Sequence, residues 1–285
     1  MRYKNQYLQS KIDKAIEFIK HGEKLALSMN ADGYFVAFSG GKDSQVLLWL
    51  VKQSGVKYRA YYAVTTNDPP QNVRFIRENY PEVVFLHPKE NFYKLVAKCG
   101  LPMMNKRFCC SILKENAGLG YATLVGVRRD ESSRRKNYKD VDVVSRRKEH
   151  QDRERIYNID EMLQAEHRCI HGKDKLILRP ILDFSESEIW EVIYSNNLPV
   201  NPCYNDTNRV GCIFCPFSPK KQILDYCNKY PRAKKKIIDA IKEYQYKMNG
   251  TAKMSPDEYF DWWVSKKSFK QYEAEKRQTK IEFQQ

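Results

Sequence analysis

The chain has 285 residues, of which 42% are hydrophobic and 13% aromatic, and a formal net charge of +15. Such a composition excludes a disordered protein, and the length suits one large domain or a domain with an appendage. No apolar run approaches the roughly 18–20 residues that span a bilayer, and the surplus of positive charge reads either as solubility or as affinity for an anionic partner.

In chain order, residues 1–30 place Ile12, Ala15, Ile16, Ile19, Leu25 and Leu27 at helical spacing and lack the continuous apolar core of a signal peptide. They predict one amphipathic helix of a cytoplasmic protein with no membrane partner. Short β-rich runs then recur at 34–38, 58–64, 83–87 and 121–127, with helix-like segments at 44–53 and 70–80 between them. That alternation predicts an α/β fold with a parallel sheet and helices on both faces. Ligands of such sheets bind at the carboxyl ends of the strands, near a topological switch point. From about 131 to 175 the pattern breaks into a charge-dense insertion, "ESSRRKNYKDVDVVSRRKEHQDRER" at its start, which reads as a mobile loop or lid. A strand over 176–184 follows, then a helix opened by a capping box of Ser185 and Glu188. Beyond "GCIFC" the chain reads as helical, with breaks at Pro231 and Pro256, one basic helix face and one aromatic one. The domain reading is therefore an N-terminal helix (1–30), a nucleotide-binding domain (31–217) and a C-terminal helical extension (218–285).

The segment "FSGGKDSQ", 38–45, sits where the first strand gives way to a helix. Its paired glycines permit a tight turn and close ligand approach. Successive amides and the helix N-terminus then face an anion. Lys42 can neutralise phosphate charge, and Ser39 and Ser44 can donate from their hydroxyls. The spacing departs from the Walker A loop. It resembles instead the SGGxDS signature of the PP-loop, or N-type ATP pyrophosphatase, family. Membership implies a Rossmann-like, adenine nucleotide alpha hydrolase-like fold that cleaves ATP between its α and β phosphates. The resemblance makes Ser39, Gly40, Gly41, Lys42, Asp43 and Ser44 nucleotide-binding residues, with Lys42 and Asp43 catalytic and Asp43 handling Mg²⁺ and pyrophosphate.

Eight cysteines without an export signal read as metal ligands or redox thiols rather than disulfides. Cys212-x-x-Cys215 alone is ambiguous among zinc, iron–sulfur and thiol redox chemistry. With Cys109–Cys110 it makes two pairs and four thiolates, which suit either Zn²⁺ or a [4Fe-4S] cluster. An adjacent cysteine pair, a lysine four residues on, and a CxxC about a hundred residues later is similar to the cluster site of assimilatory adenosine-phosphosulfate (APS) reductases. That likeness implies a [4Fe-4S] cluster on Cys109, Cys110, Cys212 and Cys215, with Lys114 linking cluster and substrate electrostatically. "VGVRRDESSRR", 125–135, resembles an arginine motif of the same superfamily, which implies phosphate or sulfate binding by Arg128 and Arg129 beside Gly126. Arginine forks meet oxyanions bidentately. With the Leu-Pro-x-Asn-Pro turn at 198–202, the likeness covers roughly 34–217 outside the insertion. The chain thus resembles the phosphoadenosine-phosphosulfate (PAPS) reductase superfamily.

Two features depart from the reductases. The Glu-Cys-Gly-[Ile/Leu]-His motif that attacks sulfate has no counterpart after Cys227, and the phosphate loop is intact. The pairing of loop and cluster is similar to PAPS-reductase-like proteins of DNA phosphorothioation systems. It implies an enzyme that converts ATP to AMP and pyrophosphate, adenylating a substrate for sulfur transfer. The implied partners are an adenine nucleotide (ATP, or APS/PAPS), a DNA or tRNA acceptor, and a cysteine desulfurase or other sulfur donor. The alternatives are an APS/PAPS reductase using Cys203 or an external thiol, and a non-catalytic nucleotide- and nucleic-acid-binding module with a structural metal. His167, Cys169 and His171 alternate as in a second metal site with no evident fourth ligand. Cys99 and Cys227 read as packing residues, and so does Cys203 unless it is a working thiol. Trp262 and Trp263 read as a helix docked on the core.

Overall fold

β1 (Tyr34–Ala37) is short, apolar and largely buried, as a central parallel strand covered on both faces is. In the computed structural model, which describes residues 6–144, 175–248 and 254–282, β1 is followed by α3 (Lys42–Ser54), β2 (Tyr58–Ala63), α4 (Pro70–Asn79) and β3 (Val84–Leu86). β4 (Ala122–Val125) then returns to the other side of β1. β5 (Val141–Val144) and β6 (Lys175–Leu178) complete the order β3-β2-β1-β4-β6-β5. All neighbours are parallel except the edge pair β5–β6. The chain travels outward from β1 to β3 and then reverses to β4, so the switch point lies between β1 and β4. This is the mostly parallel, Rossmann-like sheet read from the sequence.

The chain divides into two compact units. The first comprises Met1–Val64, Pro70–His87 and Glu115–Val210, and holds the sheet with α1 (Gln6–His21), α2 (Glu23–Met29), α3, α4 and α6 (Glu186–Ser195). Its core joins Tyr34, Val36, Leu47, Leu50, Leu124 and Leu178 to Ile189 and Ile193 of α6. The second comprises Thr65–Pro69, Pro88–Lys114 and Gly211–Gln285. It is helical: α5 (Phe92–Cys99), α7 (Lys220–Lys229), α8 (Pro231–Lys247), α9 (Pro256–Ser265) and α10 (Phe269–Glu282). Its separate core is built on Phe92, Val96, Phe214, Ile237, Ile241, Phe260 and Trp263. Segments 65–69 and 88–114, read above with the nucleotide-binding part, pack with these C-terminal helices.

Four expectations change. The N-terminal segment is two helices, because the chain turns at Gly22; the helical phase resets there and Leu27 is left 41% exposed, while Ile12, Ile19 and Leu25 are buried. The start of the charged insertion is not a mobile loop: residues 129–137 form two 3₁₀ turns and Val141–Val144 pairs antiparallel with β6, burying Val141. β6 stops at Leu178, since Pro180 has no amide for the ladder and Arg179–Phe184 closes into turns instead. Cys99, the last residue of α5, is exposed rather than packed. The Ser185–Glu188 capping box forms as read, and Pro231 and Pro256 each open a helix. Trp263 is buried in the helical unit and donates to the Pro102 carbonyl at 2.7 Å. The His167–Cys169–His171 reading lies outside the described residues. Among the described residues no helix is long and apolar enough to cross a membrane.

β6 opens on a buried lysine. Lys175 is 8% exposed and donates to the Ala117 carbonyl at 2.7 Å. Burial lowers it from 10.5 to about 8, against the opposing pull of Glu115. The folded group therefore binds fewer protons than the unfolded one between those two values. Stability rises with pH across that window and the full penalty is present below it. Lys175→Met is expected to raise stability at pH 7 by about 1–3 kcal/mol and to flatten the rise above pH 8, as read by urea unfolding from pH 7 to 10.

Candidate functional site

The glycine-rich loop follows β1 and the arginine motif follows β4, so the two lie at the carboxyl ends of the strands that flank the switch point. The ladder continues one residue beyond β1, with Phe38 N donating to the Tyr61 carbonyl, and the chain then turns sharply. Gly40 has φ +77, and a Cβ there would lie 2.5 Å from Asn72 Oδ1 and 2.9 Å from Ile76 Cγ1. Gly41 caps α3 with no side-chain acceptor of its own, and of the first-turn amides Lys42 N is taken by the Tyr204 hydroxyl. The Ser44 hydroxyl donates to the Gly41 carbonyl at 2.8 Å and accepts from Ser39 Oγ at 3.1 Å. Ser44 thus holds the loop closed.

Three side chains brace the loop from behind, and the sequence reading missed all three. Asn201 Nδ2 donates to the Gly40 carbonyl at 2.8 Å and to Asn72 Oδ1 at 2.7 Å. Asn72 Nδ2 in turn donates to the Ser39 carbonyl at 3.2 Å, and both asparagines are buried. Asn201 also caps the 3₁₀ turn Pro202–Asn205, which brings Tyr204 to accept from Lys42 N at 2.7 Å. Burial pushes the Tyr204 phenol up, so it stays protonated. The Asn-Pro dipeptide was the one available signal, a turn marker.

Charge converges on Asp43. Arg128 is 2% exposed; its Nε donates to Asp43 Oδ1 at 2.5 Å, with further bonds to Asp130 and the Phe184 carbonyl. Lys42, also buried, places Nζ 3.7 Å from Asp43 Oδ2 and 3.2 Å from Glu186. A Cβ at Gly126 would stand 3.0 Å from the Asp43 carbonyl, so the two loops touch backbone to backbone there. Arg129 turns away, pairing with Asp183 and donating to the Tyr138 carbonyl at 2.9 Å. Arg135 was not singled out from the sequence. Burial depresses its basicity, as do the neighbouring charges of Arg209 and Arg128, while Tyr138 and Asp43 oppose the shift. Lys42 and Arg128 thus meet at Asp43, with Arg135 in electrostatic reach of that carboxylate and Asp130 and Glu186 as further counter-charges, an arrangement that accepts an oxyanion once these carboxylates give up their cations.

The helical unit holds the four cysteines of the two pairs, Cys109, Cys110, Cys212 and Cys215. Cys109 and Cys110 end a short helical turn, Phe108–Cys110, which widens into a π turn over Ser111–Glu115. Turns of that kind recur at functional sites. Cys109 is hydrogen-bonded to Cys110, and this contact, burial and the charges of Cys110 and Cys212 push its thiol up. Burial raises the Cys212 thiol, opposed chiefly by Lys114, with Asp68 and Cys215 also in electrostatic reach. The negative charge of Cys212, above all, raises Lys114, whose ammonium is hydrogen-bonded to that sulfur. The loop 212–215 is clamped by Asn67, which is 2% exposed. Its carbonyl accepts from Ile213 N at 2.7 Å and its Oδ1 from Phe214 N at 3.2 Å. Thr65 Oγ1 lies 3.6 Å from Cys212 Sγ, and Lys266 Nζ donates to the Pro216 carbonyl at 3.0 Å. Cys109, Cys212 and Cys215 carry free thiols. Among the described residues no group of three or more His, Cys, Asp or Glu is arranged around a single metal-ion position. The donor set itself, soft thiolates with an ammonium against one of them, fits a thiolate-held iron–sulfur centre.

Fold and loops together define an α/β protein whose glycine-rich loop and arginine motif meet at the switch point of its sheet. The profile of the phosphoadenosine phosphosulfate reductase domain matches residues 33–218, well over half of the chain, and the chain belongs to that family. An uncharacterised protein of Methanocaldococcus jannaschii is 26% identical over 216 residues, covering 74% of this chain; the chain spans 48% of that protein's length. Among solved structures, the PAPS reductase of Candida auris in its phosphate complex is 13% identical with a TM-score of 0.44, covering 74% of this chain and 97% of that one. Candida glabrata FMN adenylyltransferase with FAD and inorganic pyrophosphate is 15% identical, TM-score 0.46, covering 73% and 64%. The U34-tRNA thiolase of Methanococcus maripaludis with its [4Fe-4S] cluster is 13% identical, TM-score 0.46, covering 87% and 82%.

Proposed function

We propose that the protein is an ATP pyrophosphatase that adenylates an acceptor for sulfur transfer. The observation that carries this reading is the intact SGGKDS loop with Lys42 and Arg128 converging on Asp43. The loop amides and the N-terminus of α3 hold phosphate oxygens, and Lys42 and Arg128 offset charge that grows as the α–β bond breaks. Asp43, a hard oxygen donor, is the residue that would hold Mg²⁺. An acceptor oxygen attacks the α phosphorus, pyrophosphate leaves, and the acceptor carries AMP. A sulfur nucleophile, supplied by a cysteine desulfurase or another donor, then displaces AMP. The acceptor class is DNA or tRNA. Cys109, Cys110, Cys212 and Cys215 would hold a [4Fe-4S] cluster, which supplies a thiolate-bound iron centre when present.

Incubation with α-labelled ATP, Mg²⁺ and nucleic acid is expected to yield labelled AMP and pyrophosphate. Release of orthophosphate alone sinks the reading. The family's own description favours a second one, reduction of a sulfonucleotide. Cys203 is fully buried, so that reading needs an external thiol; sulfite released from APS or PAPS in the presence of thioredoxin would establish it.

A further inference from the structure

The positive charge of the chain is unevenly held. The unit with the sheet has 28 Lys and Arg against 24 Asp and Glu. The helical unit, with 22 against 11, carries a net +11 of the chain's +15. Lys42 and Arg128, which meet the nucleotide in the reading above, belong to the first unit, so the surplus on the second has no account there. It is densest on α7 and α8. Lys220 and Lys221 open α7, and Arg232 with the lysine run 234–236 opens α8; all are exposed, and Asp225 is the one acid between 220 and 236. These cations do not serve their own helices. A helix N-terminus favours acids, and α6 and α9 carry them there (Glu186 and Glu188; Asp257 and Glu258), whereas the first turns of α7 and α8 have none.

A second observation lies on the stretch that leads from the CxxC pair into α7. Phe217, two residues after Cys215, is 53% exposed, and the Arg107 guanidinium stands 5.1 Å from its ring centroid. Arg107 precedes Cys109 by two residues. An exposed ring braced by a guanidinium is a platform on which an unpaired base stacks. A duplex offers phosphates without a free base face, whereas a single strand offers both.

We propose that the helical unit binds a single-stranded nucleic-acid segment, with phosphates along α7 and the start of α8 and one base on Phe217 and Arg107. The base is thereby placed next to the cysteine-bearing segments. The identity of this segment as the acceptor rests on the adenylation reading; the binding itself does not.

The test uses the full chain without ATP and a labelled 20-nucleotide single strand, as DNA and as RNA, with the matching duplex. Anisotropy titrations are run across a range of salt concentrations. Wild type is expected to prefer the single strand. The triple variant Lys234→Glu, Lys235→Glu, Lys236→Glu should lose at least tenfold in affinity, and its log–log salt slope should be shallower by about 2, at roughly 0.7 per phosphate released. Phe217→Ala should weaken the single strand about tenfold with the slope unchanged and leave the duplex unaffected. Wild-type affinity in the triple variant overturns the proposal, as does equal loss on both probes in Phe217→Ala. Failure of every oligonucleotide to bind overturns it too. Pyrophosphate release, measured separately, tells the two readings apart: its absence with binding intact removes adenylation and leaves this surface standing.

Discussion

Gly40→Ala is expected to reduce pyrophosphate release at least a hundredfold and to destabilise the first unit by about 3 kcal/mol. Two costs combine. A left-handed backbone conformation costs a residue with a Cβ about 1–2 kcal/mol, and Gly40 sits at φ +77. The new methyl would also lie 2.5 Å from Asn72 Oδ1, too close for any real contact. Asn72 cannot give way cheaply, because its amide is tied to the Ser39 carbonyl and to Asn201. The loop must move instead, and with it the amides and Lys42 that the adenylation proposal assigns to phosphate. Gly55→Ala separates the two costs: Gly55 has φ +70, but an added methyl there would meet nothing within 4 Å. That variant should lose only about 1 kcal/mol and keep full activity. Thermal unfolding and nucleotide titration of the pair read both quantities; equal loss in the two variants would mean that backbone strain, and not the Asn72 contact, sets the effect.

Cys212→Ala is expected to abolish iron and acid-labile sulfide in protein purified without oxygen, together with its visible absorption. Of the four cysteines, Cys212 has the densest support. It is hydrogen-bonded by Lys114, approached by Thr65, and set in a loop that Asn67 holds from both backbone and side chain. Partners beyond the ligands typically govern metal affinity by 10- to 100-fold, so Asn67→Ala should lower iron content without removing a ligand. Cys227→Ala, which loses a buried thiol of the helical core, serves as the control and should keep its iron. Stoichiometric zinc in wild type, with neither iron nor sulfide, would replace the cluster by the zinc alternative.

The glycine-rich loop was legible because its chemistry is contiguous: six residues carry the turn, the cation and the carboxylate. The two cysteine pairs stood out by spacing and identity, and their joint assignment to one centre came from the resemblance to the APS reductases. Apart from Arg135, the side chains that escaped the sequence are long-range and neutral. Asn72 and Asn201 lie 129 residues apart, and each looks like any other loop or helix amide until burial forces them to satisfy one another. Asn67 escaped for the same reason. The β5 strand was hidden because four residues, "VDVV", within a run of charges give too little alternation to count, yet Val141 is fully buried. The N-terminal helix was overextended because periodicity continues to score across Gly22 although the turn there shifts the phase.

The helical unit is assembled from three separate stretches of chain, 65–69, 88–114 and 211–285, threaded through the sequence of the sheet unit. On a ribosome, Phe92 and Val96 emerge more than a hundred residues before Phe214, Ile237 and Phe260, their partners in the core. β4 likewise waits for β6, over fifty residues on. Contacts of such sequence separation slow folding, and the half-made helical unit exposes an apolar α5 throughout synthesis. A fragment ending at 217 would retain α5 and both cysteine pairs but none of the helices that cover them. Such a fragment is expected to be recovered as aggregate, which a solubility assay of the truncated chain checks.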